Sequence, residues 1–233
     1  MNKEQASQIL SLVKRNYNEI AASFDSTRKK EIWPQIRKFA AEVKDGDGVL
    51  DAGCGNGRML EALKNKHVKY LGLDNSSELI KAARLNYPQY EFRVADILDM
   101  NDVKEKDFDY IFCLAVLQHI PSRDLRITFL KNLSLKLKPS GRLIISSWNL
   151  GRIPKYRRMI IANYWRKLLG RHSLEARDLI FPWKDSSGKP VSDRYYHAFK
   201  LSELKSLCLA AGLKIERADN DKHNFWLALS RQS

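Results

Sequence analysis

The sequence predicts a doubly wound α/β fold on a mostly parallel sheet, and three observations predict it. Stretches of strand and helix character alternate regularly from Gly48 to Trp148. Several strand stretches are near-continuous apolar runs, Tyr110-Ile111-Phe112-Cys113-Leu114 and Leu143-Ile144-Ile145 among them, as expected of strands covered on both faces. Three of the strands end in an acid, at the edge where such sheets hold their ligands.

In chain order, residues 4–23 place Ile9, Leu12, Val13, Tyr17 and Ile20 at helical spacing. Asp25-Ser26-Thr27 breaks that helix. A second carries Trp33, Ile36, Phe39 and Ala40 on one face, with Pro34 near its start, where proline is tolerated. Lys44-Asp45-Gly46-Asp47-Gly48 is a turn. This helical preface, residues 1–44, is expected to lie beside the glycine turn that follows and to cover it.

The core, residues 45–150, has strands expected at 48–52, 68–74, 90–95, 108–114 and 141–148, and helices at 57–65, 76–86 and 122–137. Residues 151–180 read as a basic helical insert with Tyr156, Ile160, Ile161, Tyr164, Trp165, Leu168 and Leu169 in an apolar stripe. A helix over 201–211 stops at Gly212, a usual helix end. Two last strands, 213–218 and 224–229, form a hairpin. The whole chain, 1–233, is expected to be one domain: preface, core, insert (151–200) and C-terminal helix with hairpin (201–233).

Net charge is +14 and unevenly spread, with twelve Lys and Arg against four Asp and Glu in 151–200. A polyanion such as RNA would explain that concentration, because phosphate contacts by Lys and Arg supply most nucleic-acid affinity. A merely solvated basic surface is the plain alternative. Cys54, Cys113 and Cys208 form no CxxC pair, so neither a disulfide framework nor a metal site is expected, and a reducing cytoplasm fits. The longest apolar run, Tyr110 to Leu117, is too short for a membrane span of about 20 residues, and no signal peptide is expected at the N-terminus.

The chemistry concentrates in Val49 to Leu60. An apolar pair ends in Asp51, Ala52 follows, and Gly53, Gly55 and Gly57 alternate with Cys54 and Asn56 before Arg58. Alternate glycines allow positive φ and close approach of a bulky ligand, and a helix beginning there would aim free N–H groups at it. Asp74 ends the second strand, with Asn75 after it, and Asp96-Ile97 ends the third. An acid about 20 residues past a glycine turn suits ribose hydroxyls. The third glycine comes one residue early for a dinucleotide fingerprint, which disfavours NAD.

With those acids, Asp-x-Gly-Cys-Gly-x-Gly resembles motif I of class I S-adenosylmethionine-dependent methyltransferases, over about residues 45–150. The resemblance implies a seven-stranded, Rossmann-like methyltransferase fold with S-adenosylmethionine as cofactor. It implies that the glycines face the cofactor's methionine part while Asp51 organises the turn and serves the amino group. Asp74 would hold the ribose, Asp96 and Ile97 the adenine edge, and Leu114 and Ala115 would border the sulfonium.

Further landmarks run from Tyr17 to Pro34, through Gln118-His119-Ile120-Pro121 and Ser147-Trp148-Asn149, to Phe181-Pro182-Trp183 and Arg194-Tyr195-Tyr196-His197. This set is similar to the wobble-uridine tRNA methyltransferases, including the methyltransferase domain of the AlkB-homologue tRNA hydroxylase. Two adjacent histidines are common in that family where Gln118-His119 stands. The resemblance implies esterification of a carboxymethyl group on a wobble uridine, with tRNA as partner and, in some relatives, a small activating subunit. The nucleophile is already ionised at neutral pH, so orientation rather than a general base is needed. Arg28 and Arg194 suit a carboxylate clamp; His119, Tyr195 and Tyr196 suit contacts to the flipped base, and His197 is expected to position the substrate with them. Three rivals remain open: a methyltransferase for a small quinone, lipid precursor or carboxylic acid, a non-catalytic RNA-binding protein of this fold, and, with the glycine spacing against it, an NAD-dependent oxidoreductase.

Overall fold

The computed structural model describes residues 1–27, 31–171, 173–185 and 187–232. A long helix, α1 (Lys3–Thr27), and a short one, α2 (Pro34–Glu42), precede the sheet. Proline at the first turn of α2 removes an N–H that would have had no partner.

The strands are β1 (Gly48–Ala52), β2 (Lys69–Asp74), β3 (Glu91–Val94), β4 (Phe108–Leu114) and β5 (Leu137–Trp148). After the insert come β8 (Leu213–Asn220) and β9 (Asn224–Arg231). They make one seven-stranded sheet in the order β3-β2-β1-β4-β5-β9-β8. Pairing is parallel from β3 through β5, and β9 runs antiparallel between β5 and β8. The order reverses beside β1, so a crevice opens at the carboxyl ends of β1 and β4. Helices α3 (Ser77–Asn86), α4 (Arg123–Lys136) and α6 (Leu201–Ala210) flank the sheet. One apolar layer joins Phe129, Leu133, Leu204 and Leu207 to the sheet; the other joins Phe39, Leu60, Ile80 and Trp226. Trp226, on β9, lies under Trp33 and Phe39 of the α2 region.

Four expectations need correction. Helix α1 runs on through Asp25, Ser26 and Thr27 instead of breaking there. The helix expected over 57–65 is a short 3-10 turn, Arg58–Ala62. Successive three-residue bonds, Leu60 N–H to Gly57 O and Leu63 N–H to Leu60 O, wind it tighter than an α-helix. Such a turn carries no sizeable macrodipole, so no helix end contributes charge to the glycine turn. The insert is also only partly helical. After α5 (Pro154–Leu168) the chain forms an antiparallel ribbon of β6 (Asp178–Lys184) and β7 (Pro190–His197), separate from the main sheet. Strand β5 starts four residues earlier than expected, with a register shift opposite Phe108 and Tyr110.

Candidate active site

At the carboxyl ends of β1 to β4, beneath α1, lies a cavity of about 450 Å³. One half is built by the glycine turn. Gly53, Gly55 and Gly57 all adopt positive φ. Gly53 and Cys54 donate their N–H groups to Leu73 O at 2.7 and 2.9 Å, so the turn is laced to the end of β2. A Cβ on Gly53 would stand 2.3 Å from Val116 Cγ2, so only glycine fits between that loop and the turn.

Asp74 locks the same half. Its carboxylate accepts from Gly55 N–H and Ser76 N–H, both at 2.9 Å, while Ser76 itself caps α3. Burial raises the Asp74 pKa against those bonds. Asp51, below the turn and 2% exposed, accepts from Tyr70 OH at 2.9 Å. Burial, partly offset by that bond, pushes it up to about 7.

Of the residues the sequence singled out, Gly53, Gly55, Asp74, Asn75, Asp96 and Ile97 line this half, and Leu114, Ala115, His119 and Tyr196 line the rest. Asp96 is exposed and one oxygen accepts from Leu98 N–H at 2.9 Å. Asp51 and Ala52 sit in the strand behind the cavity wall. Cys54 packs into the core, where burial raises its thiol pKa well above normal. Gly57 faces Tyr87 and Phe92. Asn56 turns away, donating to Asp25 at 2.9 Å beside a second hollow.

The other half is aromatic. Tyr196 stacks between Trp148 and Phe181, centroids 5.3 Å away on each side, with His119 edge-on at 4.5 Å. His119 Nδ1 faces Tyr195 O at 3.1 Å; a carbonyl only accepts, so Nδ1 carries the proton. Nε2 therefore accepts from Tyr17 OH at 2.8 Å. Burial lowers the His119 pKa to about 4, so the ring is neutral at physiological pH. The Arg194 guanidinium stands one side chain back, over the rings of Trp183 (4.6 Å), Phe181 (4.9 Å) and Tyr196 (5.6 Å). Its charge reaches Tyr17 and His119. Among the described residues, no carboxylate pairs with it and its buried Nε has no hydrogen-bond partner.

Two expected substrate contacts are corrected. The Tyr195 and His197 side chains do not reach the cavity, because a buried ionic cluster uses them. Tyr195 OH donates to Asp178 at 2.7 Å, and the ring packs on Ile9 and Val13 of α1. His197 meets Asp178 at 2.7 Å and Glu203 at 2.8 Å. Arg126, 0% exposed, bonds Glu175 at 3.0 Å and lies 3.6 Å from Asp178. Glu175, Asp178 and His197 also have the spacing of a metal cluster, but Arg126 already supplies the cation there. Arg28 lies outside the described residues.

Sequence reasoning missed Ser7, Leu10 and Lys14 of α1, and Gln118, all of which line the cavity. The amphipathic pattern of α1 marks its buried face but not which neighbour that face covers.

These residues fit an S-adenosylmethionine-sized ligand. Gly53 offers a cradle that a Cβ would block. Asp74 and Asp96 are acceptors for hydroxyl and amino hydrogens, and Ile97, Leu79 and Leu114 are apolar walls for a planar base.

Fold and cavity together define a Rossmann-like methyltransferase architecture. Residues 43–174 match the family model described as "Methyltransferase domain", and the chain belongs to that family. It is similar to the tRNA (carboxymethyluridine(34)-5-O)-methyltransferase of Saccharomyces cerevisiae, with 32% identity over 180 residues, 76% of this chain and 59% of that one. The chain thus spans about three-fifths of that relative's length. A Methanosarcina mazei S-adenosylmethionine-dependent methyltransferase superposes with a TM-score of 0.68 at 20% identity, covering 87% of this chain and 99% of that one. A putative Haloferax volcanii methyltransferase, solved with the Trm112 activator, superposes at 0.65 and 18%, covering 95% and 98%. No helix among the described residues is long and apolar enough to cross a membrane.

Proposed function

We propose that this enzyme methylates the carboxylate of a carboxymethylated wobble uridine in tRNA. The carrying observation is Arg194: a guanidinium without an acidic partner among the described residues, held by three aromatic rings beside the cavity. Such a group, one side chain behind the cavity wall, attracts a substrate carboxylate by its charge, which is already felt at Tyr17 and His119, and so pre-orients it. The name of the yeast relative supports the same substrate.

S-adenosylmethionine, when bound, supplies an electrophilic methyl group. The chain's residues do the rest. Gly53, Gly55 and the Asp74 carboxylate would hold the donor, the Asp51 carboxylate would offset its positive charge, and Asp96 and Ile97 would serve its base. Tyr196, its two faces covered by Trp148 and Phe181, offers its edge to a flipped pyrimidine in the aromatic half of the cavity. His119 holds Tyr17, and with it α1, over the site. No residue is needed to remove a proton, since the accepting carboxylate is ionised at neutral pH. Arg152, Lys155, Arg157, Arg158, Arg166 and Lys167 in and beside α5 contact the tRNA backbone. A small activating subunit, as in the Haloferax complex, and a cytoplasmic location complete the proposal.

Nucleoside mass spectrometry after incubation with S-adenosylmethionine and an anticodon stem–loop bearing carboxymethyluridine tests it, with and without an activating subunit. Methyl ester is expected, and Arg194→Met lowers kcat/KM roughly tenfold, the scale of a charge acting through one side chain. No ester under either condition, or an Arg194→Met enzyme as active as the wild type, overturns the proposal.

A further inference from the structure

His119 looks like the residue that would touch a substrate, yet both of its ring nitrogens are already used, by Tyr195 O and Tyr17 OH. Its neighbour is different. Gln118 is 1% exposed and lines the same cavity. Its Oε1 accepts from Ser147 Oγ at 2.9 Å and from Trp148 N–H at 3.3 Å. A backbone N–H only donates, so the atom facing Trp148 is the amide oxygen, which fixes the orientation of the side chain. The Nε2 group is therefore turned away from β5, and it has no partner among the described residues.

A buried amide donor without an acceptor is rare in a folded protein, and beside a cavity its missing acceptor is most simply a ligand atom. The position identifies which ligand. Gly53, Asp74 and Asp96, at the ends of β1 to β3, occupy one half of the cavity. Gln118 follows β4 and is pinned to the end of β5, in the half walled by Trp148 and Tyr196. Val116 and Ile120 beside it carry no side-chain donor, and the ring nitrogens of His119 are spent.

We infer that Gln118 is a specificity residue that donates a hydrogen bond from Nε2 to a planar acceptor oxygen of the methyl-accepting substrate. This rests on the carboxymethyluridine reading, in which that oxygen is either a carboxylate oxygen or the 4-carbonyl of the uracil ring. Two donors on β5 hold the amide in place, so the group is aimed before substrate arrives, and an analogue lacking the acceptor leaves it unpaired.

Steady-state kinetics on the carboxymethyluridine stem–loop, with S-adenosylmethionine affinity measured by calorimetry, test the inference. Gln118→Met removes the donor at similar length. Gln118→Glu keeps an acceptor for Ser147 and Trp148, so the loop stays anchored, but turns an oxygen toward the substrate. The expected result is a KM raised about tenfold by Met and further by Glu, with S-adenosylmethionine affinity within twofold of wild type. A stem–loop with 4-thiouracil separates the two sources. If sulfur substitution and Gln118→Met are non-additive the ring carbonyl is the acceptor, and if they add it is the carboxylate. An unchanged KM in both variants beside an active wild type overturns this inference alone, as does a loss confined to S-adenosylmethionine affinity. A wild type that does not methylate the stem–loop overturns the substrate reading and this inference with it.

Discussion

Tyr17 donates its hydroxyl proton to Nε2 of His119 across 2.8 Å, tying α1 to the loop after β4. Burial holds His119 near a pKa of about 4, against an ordinary value of 6.5. Between those values the unfolded chain takes up a proton that the folded one refuses, so this site's contribution is complete above about 6.5 and falls with acid. Urea titrations from pH 7 to 4.5 should show the wild type losing stability relative to His119→Asn as pH falls, the difference isolating this site from carboxyls that titrate in the same window. Tyr17→Phe should lower stability by about 1 kcal/mol, the scale of one lost hydrogen bond.

Gly53 gives a purely steric prediction. An alanine there would take φ of +82° and bring its Cβ within 2.3 Å of Val116 Cγ2. Strain and overpacking together should cost about 2–4 kcal/mol by chemical denaturation. Val116→Ala should return part of that loss, because it removes the clash and leaves the backbone strain.

Asp51 gives a titration. Its folded pKa is raised to about 7 by burial, so from pH 4 to 7 the folded state binds more protons than the unfolded and this site's contribution falls as pH rises. A cation held above the turn favours the ionised form, so S-adenosylmethionine affinity should rise with pH through about 7. Calorimetry should show that rise in the wild type and a flat profile in Asp51→Asn.

The buried cluster behind β7 predicts acid sensitivity of the opposite origin. Despite burial, His197 and Arg126 hold the Asp178 and Glu203 carboxyls below their usual range. Their contribution is present above the unfolded carboxylate range and is lost as pH falls through the depressed values. Arg126→Met leaves Asp178 buried beside fewer partners and should destabilise by about 3–5 kcal/mol, read as a lowered urea midpoint.

The strands at 48–52 and 108–114 were legible to the residue, because apolar runs ending in turn residues have few alternatives. The segment after Gly57 was not: Met59, Leu60 and Leu63 suit an α-helix, yet the positive φ at Gly57 starts the chain in a tighter winding. The β6–β7 ribbon was missed because its residues do not alternate in polarity: exposed Ile180 and Pro182 are as apolar as buried Leu179 and Phe181. Tyr195 and Tyr196 do enter different clusters, as a strand's period of two requires, but both clusters are interior, so no polar face marks the strand. The glycine turn and strand-end acids were readable as a ligand site. Gln118 was not, since its significance lies in which of its two amide atoms Ser147 and Trp148 occupy.

Strand β9 lies between β5 and β8, and its Trp226 closes the layer under α2. On a ribosome, the other central strands are therefore complete while the edge of β5 and the slot beneath Trp33 and Phe39 still stand open. Residues 224–231 must leave the exit tunnel before that edge is paired, so a nascent chain stalled earlier presents a bare sheet margin to chaperones.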